Sequence, residues 1–224
     1  MSMENEEYEY EEVVVSKSPA TRMAEALSKI FNPLLIPTYS IITALLLSQQ
    51  LYGVSRVARN SAMVVTFALT CIVPIIVIYI LIRTGNITDP QVNKQKERLL
   101  PFVATIICYI ASAMHLSLVH APAWLSMFMV GAAVSATIVV IVNLKWKISA
   151  HATAMGGFVA LVMFMALNNL LSEGNILPML TISILSAGAV CSSRLYLQHH
   201  DIWQILAGFA NGFIVVFLIT NLAF

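Results

Sequence analysis

Charge is scarce in this 224-residue chain: Asp, Glu, Lys and Arg make up 10% of it, against 59% hydrophobic residues and a mean hydropathy of +0.84. Soluble domains carry about 25% charged residues, so composition excludes a sizeable water-soluble domain and describes an integral membrane protein. Cysteine is also sparse. Cys71, Cys108 and Cys191 each stand singly in or at the end of an apolar run, with no C-x-x-C spacing. That excludes a disulfide framework or a zinc site and leaves them as packing residues. Nor is there a basic, aromatic-interleaved surface. The twelve Lys and Arg are scattered between apolar runs and the net charge is +1, which excludes nucleic-acid binding. The start of the chain lacks the basic-then-apolar order of a secretory signal, and no cleavage is expected.

What the sequence does contain is long apolar runs. Seven of them, uncharged and about 16 to 24 residues each, approach the roughly 20 helical residues that cross about 30 Å of hydrocarbon. They lie near 33–52, 61–82, 100–119, 122–144, 153–171, 175–191 and 203–223. Lipid offers no partner to a free amide or carbonyl, and the runs do not alternate as barrel strands do, so the spans must be helices. The expected fold is an all-α polytopic bundle of six to seven spans over residues 30–224. Before it, residues 1–29 read as an acidic, disordered or surface-lying tail in which MENEEYEYEE holds six of the eleven acidic residues.

The loops between spans are unequal. Those near 83–99, 145–152 and 192–202 hold most of the charge, whereas those near 53–60, 120–121 and 172–174 hold only Arg56, Arg59 and Glu173. An even number of crossings separates the three rich loops, so all three emerge on one face. They gather Lys94, Lys96, Arg98, Lys145, Lys147 and Arg194 with Ser149, His151, His199 and His200 at one water–membrane boundary. Cations with hydroxyls and imidazoles suit an anion, and phosphate is the natural one at a lipid surface. Basic residues flank membrane helices for topology alone. Imidazoles beside Ser and Arg are not required for insertion.

At these loops the chain resembles the type-2 phosphatidate phosphatase and haloperoxidase superfamily. SRLYLQHHDIWQILAG (193–208) is similar to its third signature, S-R-x5-H-x3-D, with Ser193, Arg194 and His200 in register. ISAH (148–151) resembles the second, P-S-G-H, keeping Ser149 and His151, and the stretch from Lys94 to Pro101 loosely resembles the first, K-x6-R-P. The resemblance implies a membrane lipid phosphate phosphatase that needs no metal or other cofactor. It implies that His200 attacks phosphorus to form a phosphohistidine and that His151 protonates the leaving oxygen. Arg194, Ser149 and Ser193, with Lys94 or Arg98, would hold the phosphoryl oxygens. The substrate implied is a lipid phosphomonoester or diphosphate such as phosphatidate, phosphatidylglycerol phosphate or an isoprenyl diphosphate, in a bacterial inner membrane.

The departure falls four residues after the nucleophile, where the family has Asp and this chain has Gln204. In a helix, positions 200 and 204 share a face, so the amide carbonyl can still accept from the ring, but it brings no charge. The adjacent Asp201 would point about 100° away. The rival expectation is therefore a catalytically impaired member that binds or moves lipid phosphates. Ten Lys and Arg on the rich side against two opposite put that side in the cytoplasm by the positive-inside rule, while the family's bacterial phosphatases work on the outer face, so orientation stays open. Gly208 and Gly212, and Gly156-Gly157 with Ala160, read as small faces for close helix packing. Asn168 and Asn169 read as interhelical hydrogen-bonders. Trp124, Trp146 and Trp203 read as interfacial anchors.

Overall fold

The computed structural model of the chain describes residues 18–87, 97 and 99–223. Its regular elements are helices, with one isolated bridge between Ser48 and Leu171. Among the described residues six helices are long and apolar enough to cross a membrane, so this is an all-α, multi-pass membrane architecture.

The stretch expected to be a tail as far as residue 29 is helical from Pro19. Helix α1 (Pro19–Ile30) starts at Ser18, whose Oγ accepts from the Thr21 amide at 3.1 Å, with proline just inside the start. Residues 1–17 lie outside the described residues. Helix α2 (Ile36–Leu47) is 12 residues, about 18 Å, and so falls short of a span; a 3₁₀ turn over Gln49–Gly53 continues it. Helix α3 (Arg56–Phe67) runs through a π turn, Ala68–Ile72, into α4 (Val73–Arg83). A proline ring collides with the carbonyl one turn earlier, and the widened turn just before Pro74 relieves that collision without ending the span. Thr70 in that turn shares a 2.9 Å hydroxyl hydrogen bond with Thr38 of α2.

Five more spans follow: α5 (Leu99–Leu118), α6 (Ala123–Asn143), α7 (Ala150–Leu167), α8 (Glu173–Tyr196) and α9 (Ile202–Asn221). Helix α7 is the most enclosed of the spans, buried along most of its length, while α3–α4, α8 and α9 leave most of their length short of full burial and expose an apolar face to lipid. Glycine makes the central contact. A Cβ on Gly208 would lie 2.6 Å from the Ser149 carbonyl oxygen, one on Gly212 would run into the Thr153 carbonyl, and one on Gly156 into that of Phe209. So α7 and α9 touch backbone to backbone, as their small faces predict, and their first turns are brought side by side.

Two expectations fail. Trp124 is no interfacial anchor: it is 2% exposed, packs on Phe164 with ring centroids 5.8 Å apart, and its indole N–H donates to Gln50 Oε1 at 3.0 Å. Gln50 lies in the 3₁₀ turn that covers this end of the bundle, so the indole finds its partner inside the fold. Asn168 Nδ2 donates to Phe164 O at 2.9 Å within its own helix, not across to another. Phe164 O also accepts from the Asn168 main-chain amide at 3.1 Å, so the side chain doubles the bond that closes the last turn.

Candidate functional site

The close approach of α7 and α9 joins two of the charged loops. Ser149 is the N-cap of α7: its Oγ accepts from the Ala152 amide at 3.3 Å, using a lone pair and not the hydroxyl proton. Its own amide donates to the Gln204 carbonyl at 3.3 Å, a main-chain tie between the second and third motifs. Asp201 is the N-cap of α9, its Oδ1 accepting from the Gln204 amide at 2.9 Å. The carboxylate beside the histidine thus starts the helix that carries Gln204.

His200 is 7% exposed, and its Nδ1 lies 2.8 Å from Gln204 Oε1. An amide oxygen only accepts, so Nδ1 carries the proton and the ring lone pair resides on Nε2. The expected contact between 204 and 200 is present, but not through a shared helix: α9 begins at Ile202 with Asp201 extended as its N-cap, so His200 precedes the helix and Gln204 reaches back to it across the cap. On the neighbouring helix His151 is half-buried, with Arg194, His200 and His199 within electrostatic range, and its Nε2–H donates to the main-chain carbonyl of Ser28 at 3.1 Å. Arg194, in the last turn of α8, is 8% exposed. A guanidinium that deep is a strong local source of positive potential.

Lys147 adds a second cation and a tether: its Nζ donates to the His199 carbonyl at 2.9 Å, binding the residue before His200 to the loop before Ser149. His199 is held below its ordinary pKa of 6.5, first by burial and then by Arg194 and Lys147, with Glu25 of α1 acting in the opposite direction. Its Nδ1 is buried and has no hydrogen-bond partner among the described residues.

Of the residues expected from sequence, Ser149, His151, Arg194, His200 and Gln204 come together at this end of the bundle. Ser193 is buried on the same turn as Arg194, but its hydroxyl donates to Ala189 O at 2.8 Å, so its proton is already used within α8. Lys94 and Arg98 lie outside the described residues. Sequence reasoning missed α1 altogether. Ser28 and Glu25 both approach the histidines, and the Ser18-Pro19 helix start was the signal that could have found it.

The arrangement brings two imidazoles together with a buried guanidinium and a half-buried ammonium, with the His200 lone pair on Nε2 and that of His151 on Nδ1. No protein-family model matches the chain, and no curated protein or solved structure matches it either.

Proposed function

We propose that the chain is a membrane-embedded lipid phosphate phosphatase working through a phosphohistidine on His200. The observation that carries the reading is the 2.8 Å bond between His200 Nδ1 and Gln204 Oε1 in a site shared with Arg194, Ser149 and His151. A ring protonated on Nδ1 offers Nε2 to phosphorus. The N–P bond forms as the bond from phosphorus to the lipid oxygen breaks, and His151 relays the proton of the phosphate monoanion to that oxygen. Water then attacks the phosphohistidine while His151 takes one of its protons and returns it to the departing inorganic phosphate, restoring both rings. Phosphoryl transfer asks the protein chiefly for positioning and for charge opposite the equatorial oxygens, and Arg194 with the Ser149 hydroxyl meets that need.

A cavity of about 90 Å³ supports a lipid as the substrate. Its lining begins at Ala150 and Thr153, within a turn of Ser149, and reaches Gly157, Ala136 and Phe128 deeper in the bundle. Of the lining hydroxyls, those of Thr153 and Thr105 donate to the carbonyls of Ser149 and Pro101 and that of Ser135 accepts from Asn211 Nδ2, so the walls are mainly hydrocarbon. A chain attached to a phosphate held at Ser149 would enter there.

A second reading is favoured by Gln204 itself. A neutral amide cannot offset the positive charge the ring acquires on phosphorylation, and a site so disarmed binds lipid phosphates without turning them over. The deciding experiment is phosphate release by the detergent-solubilised protein from a panel of lipid phosphates and diphosphates, beside His200→Ala. Turnover that disappears in His200→Ala supports the phosphatase. Silence of the wild type on the whole panel, with saturable binding of a lipid phosphate, supports the binding protein.

A further inference from the structure

The last carbonyls of a helix have no partner within it. At the end of α1 three of the last four have a specific donor: Leu27 O accepts from the Phe31 amide at 2.9 Å, Ser28 O from His151 Nε2–H at 3.1 Å, and Ile30 O from the Tyr39 hydroxyl at 3.2 Å. Ala24 and Ser28 are buried on the side of α1 that packs along α8. The Tyr196 phenol of α8 lies within hydrogen-bonding reach of the Ser18 and Thr21 hydroxyls, and Glu25 within electrostatic range of His199. The opposite side exposes Met23 and Ile30 beside Arg22 and Lys29, the pattern of a helix lying along a membrane surface.

A neutral imidazole has one nitrogen that donates and one that accepts. The Gln204 carbonyl puts the proton of His200 on Nδ1, while the Ser28 carbonyl puts that of His151 on Nε2. The two rings are therefore held in opposite tautomers by two carbonyl oxygens, one from α9 and one from α1. With Nε2 committed to Ser28, Nδ1 is the His151 nitrogen that can exchange a proton with substrate.

Resting on the phosphatase reading above, we propose that α1 is a positioning element of the reaction: the Ser28 main-chain carbonyl orients His151 so that Nδ1 serves the leaving oxygen, and undocking α1 disables the acid step while leaving the nucleophile in place. In the cycle, Nδ1 of the neutral ring relays the proton of the phosphate monoanion to the lipid oxygen as the P–O bond breaks, then takes one from the attacking water and returns it to the released phosphate, and the Nε2–H···O bond to Ser28 persists throughout. Orienting partners of this kind fix ring and tautomer without touching substrate. A short amphipathic helix at the membrane surface is also an element of low local stability, so its docking can gate the step.

The test compares two leaving groups. Ala24→Glu places a carboxylate in the buried face of α1 and undocks it, and Tyr39→Phe, a milder change, removes only the donor to Ile30 O. Kinetics are measured on a lipid phosphate, whose alkoxide must be protonated, and on p-nitrophenyl phosphate, whose phenolate leaves without a proton. The expected result for Ala24→Glu is a fall in kcat of about 10²-fold on the lipid phosphate, the usual worth of a general acid, with KM and p-nitrophenyl phosphate turnover changed by less than about threefold. Tyr39→Phe should show the same asymmetry, only smaller. An equal fall on both substrates, no fall, or a gain in activity each overturns the proposal, the last by making α1 an inhibitory cap. The ¹⁵N ring shifts of His151, assigned by difference with His151→Gln, give a readout independent of turnover: the Nε2–H tautomer in the wild type and a mixture in Ala24→Glu. If the wild type hydrolyses nothing, the phosphatase reading fails on its own account, and identical ring spectra in wild type and Ala24→Glu would still refute the α1 contact.

Discussion

His200 stands just before the N-cap of α9 and Gln204 in its first turn, and a 2.8 Å hydrogen bond from ring to side-chain amide sets which ring nitrogen of His200 is basic. The bond does half the work a carboxylate would do. It fixes orientation and tautomer, but leaves the charge of a phosphorylated or protonated ring unbalanced in a site that already holds Arg194.

Restoring that charge should therefore accelerate turnover. Glu, not Asp, matches the reach of the present side chain, because only Glu keeps the oxygen where Oε1 now lies. Gln204→Glu should raise kcat by at least about tenfold; an acid-to-amide change in an unrelated serine-protease triad costs as much as about 10⁴. Gln204→Leu removes the acceptor from a buried N–H and should cost about 1–3 kcal/mol of stability as well as most activity. Phosphate release and thermal unfolding of the three proteins decide it, and a Glu variant no faster than the wild type would contradict the role given to Gln204.

If the cavity beside Thr153 takes the hydrocarbon chain, filling it should discriminate by chain length. Ala136→Phe is expected to lower kcat/KM for a long-chain lipid phosphate by about tenfold, while a water-soluble short-chain phosphate, which does not need the cavity, is hydrolysed at close to the wild-type rate. Equal effects on the two substrates would locate the chain elsewhere.

Contact between α7 and α9 predicts a sharp contrast among glycines. In Gly212→Ala the added carbon meets a main-chain carbonyl that cannot rotate away, so the helices must part, at a cost of about 1–3 kcal/mol and with loss of activity as Ser149 and His200 separate. Gly188→Ala, in α8, meets nothing within 4 Å and should be neutral or stabilise by about 0.5–1 kcal/mol. Thermal midpoints in one detergent test the pair.

His199 gives a pH dependence of definite sign. Its folded pKa lies below the ordinary 6.5, so between those two values the unfolded chain binds more protons than the folded one. Stability should accordingly fall as the pH drops below about 6.5 and be fully present above it. His199→Asn should flatten that limb of the melting curve against pH, and an unchanged limb would assign it to another group.

Much of this protein could be read from its sequence, for reasons that are local. Lipid permits few backbone solutions, so uncharged runs of span length determined an all-α bundle before any tertiary contact was considered. The even number of crossings determined that the loops around Ser149 and Arg194 share a face, and the helical period pointed to a contact between residues 204 and 200 that the structure makes across the N-cap of α9, with His200 outside the helix. Even the two glycine-rich faces announced a close contact, since a small residue at every fourth position serves little else. What the sequence left undecided depends on partners far along the chain. Only the folded bundle put Trp124 against Gln50 in place of the membrane boundary, because burial of an indole is settled by what covers it. Only packing along α8 turned a stretch that reads as a polar tail into α1, since a helix with one narrow apolar stripe is stable when something else buries that stripe. And only tertiary structure brought the Ser28 carbonyl to His151 across 123 positions of sequence, a contact that no local period encodes and that determines how the second imidazole is held.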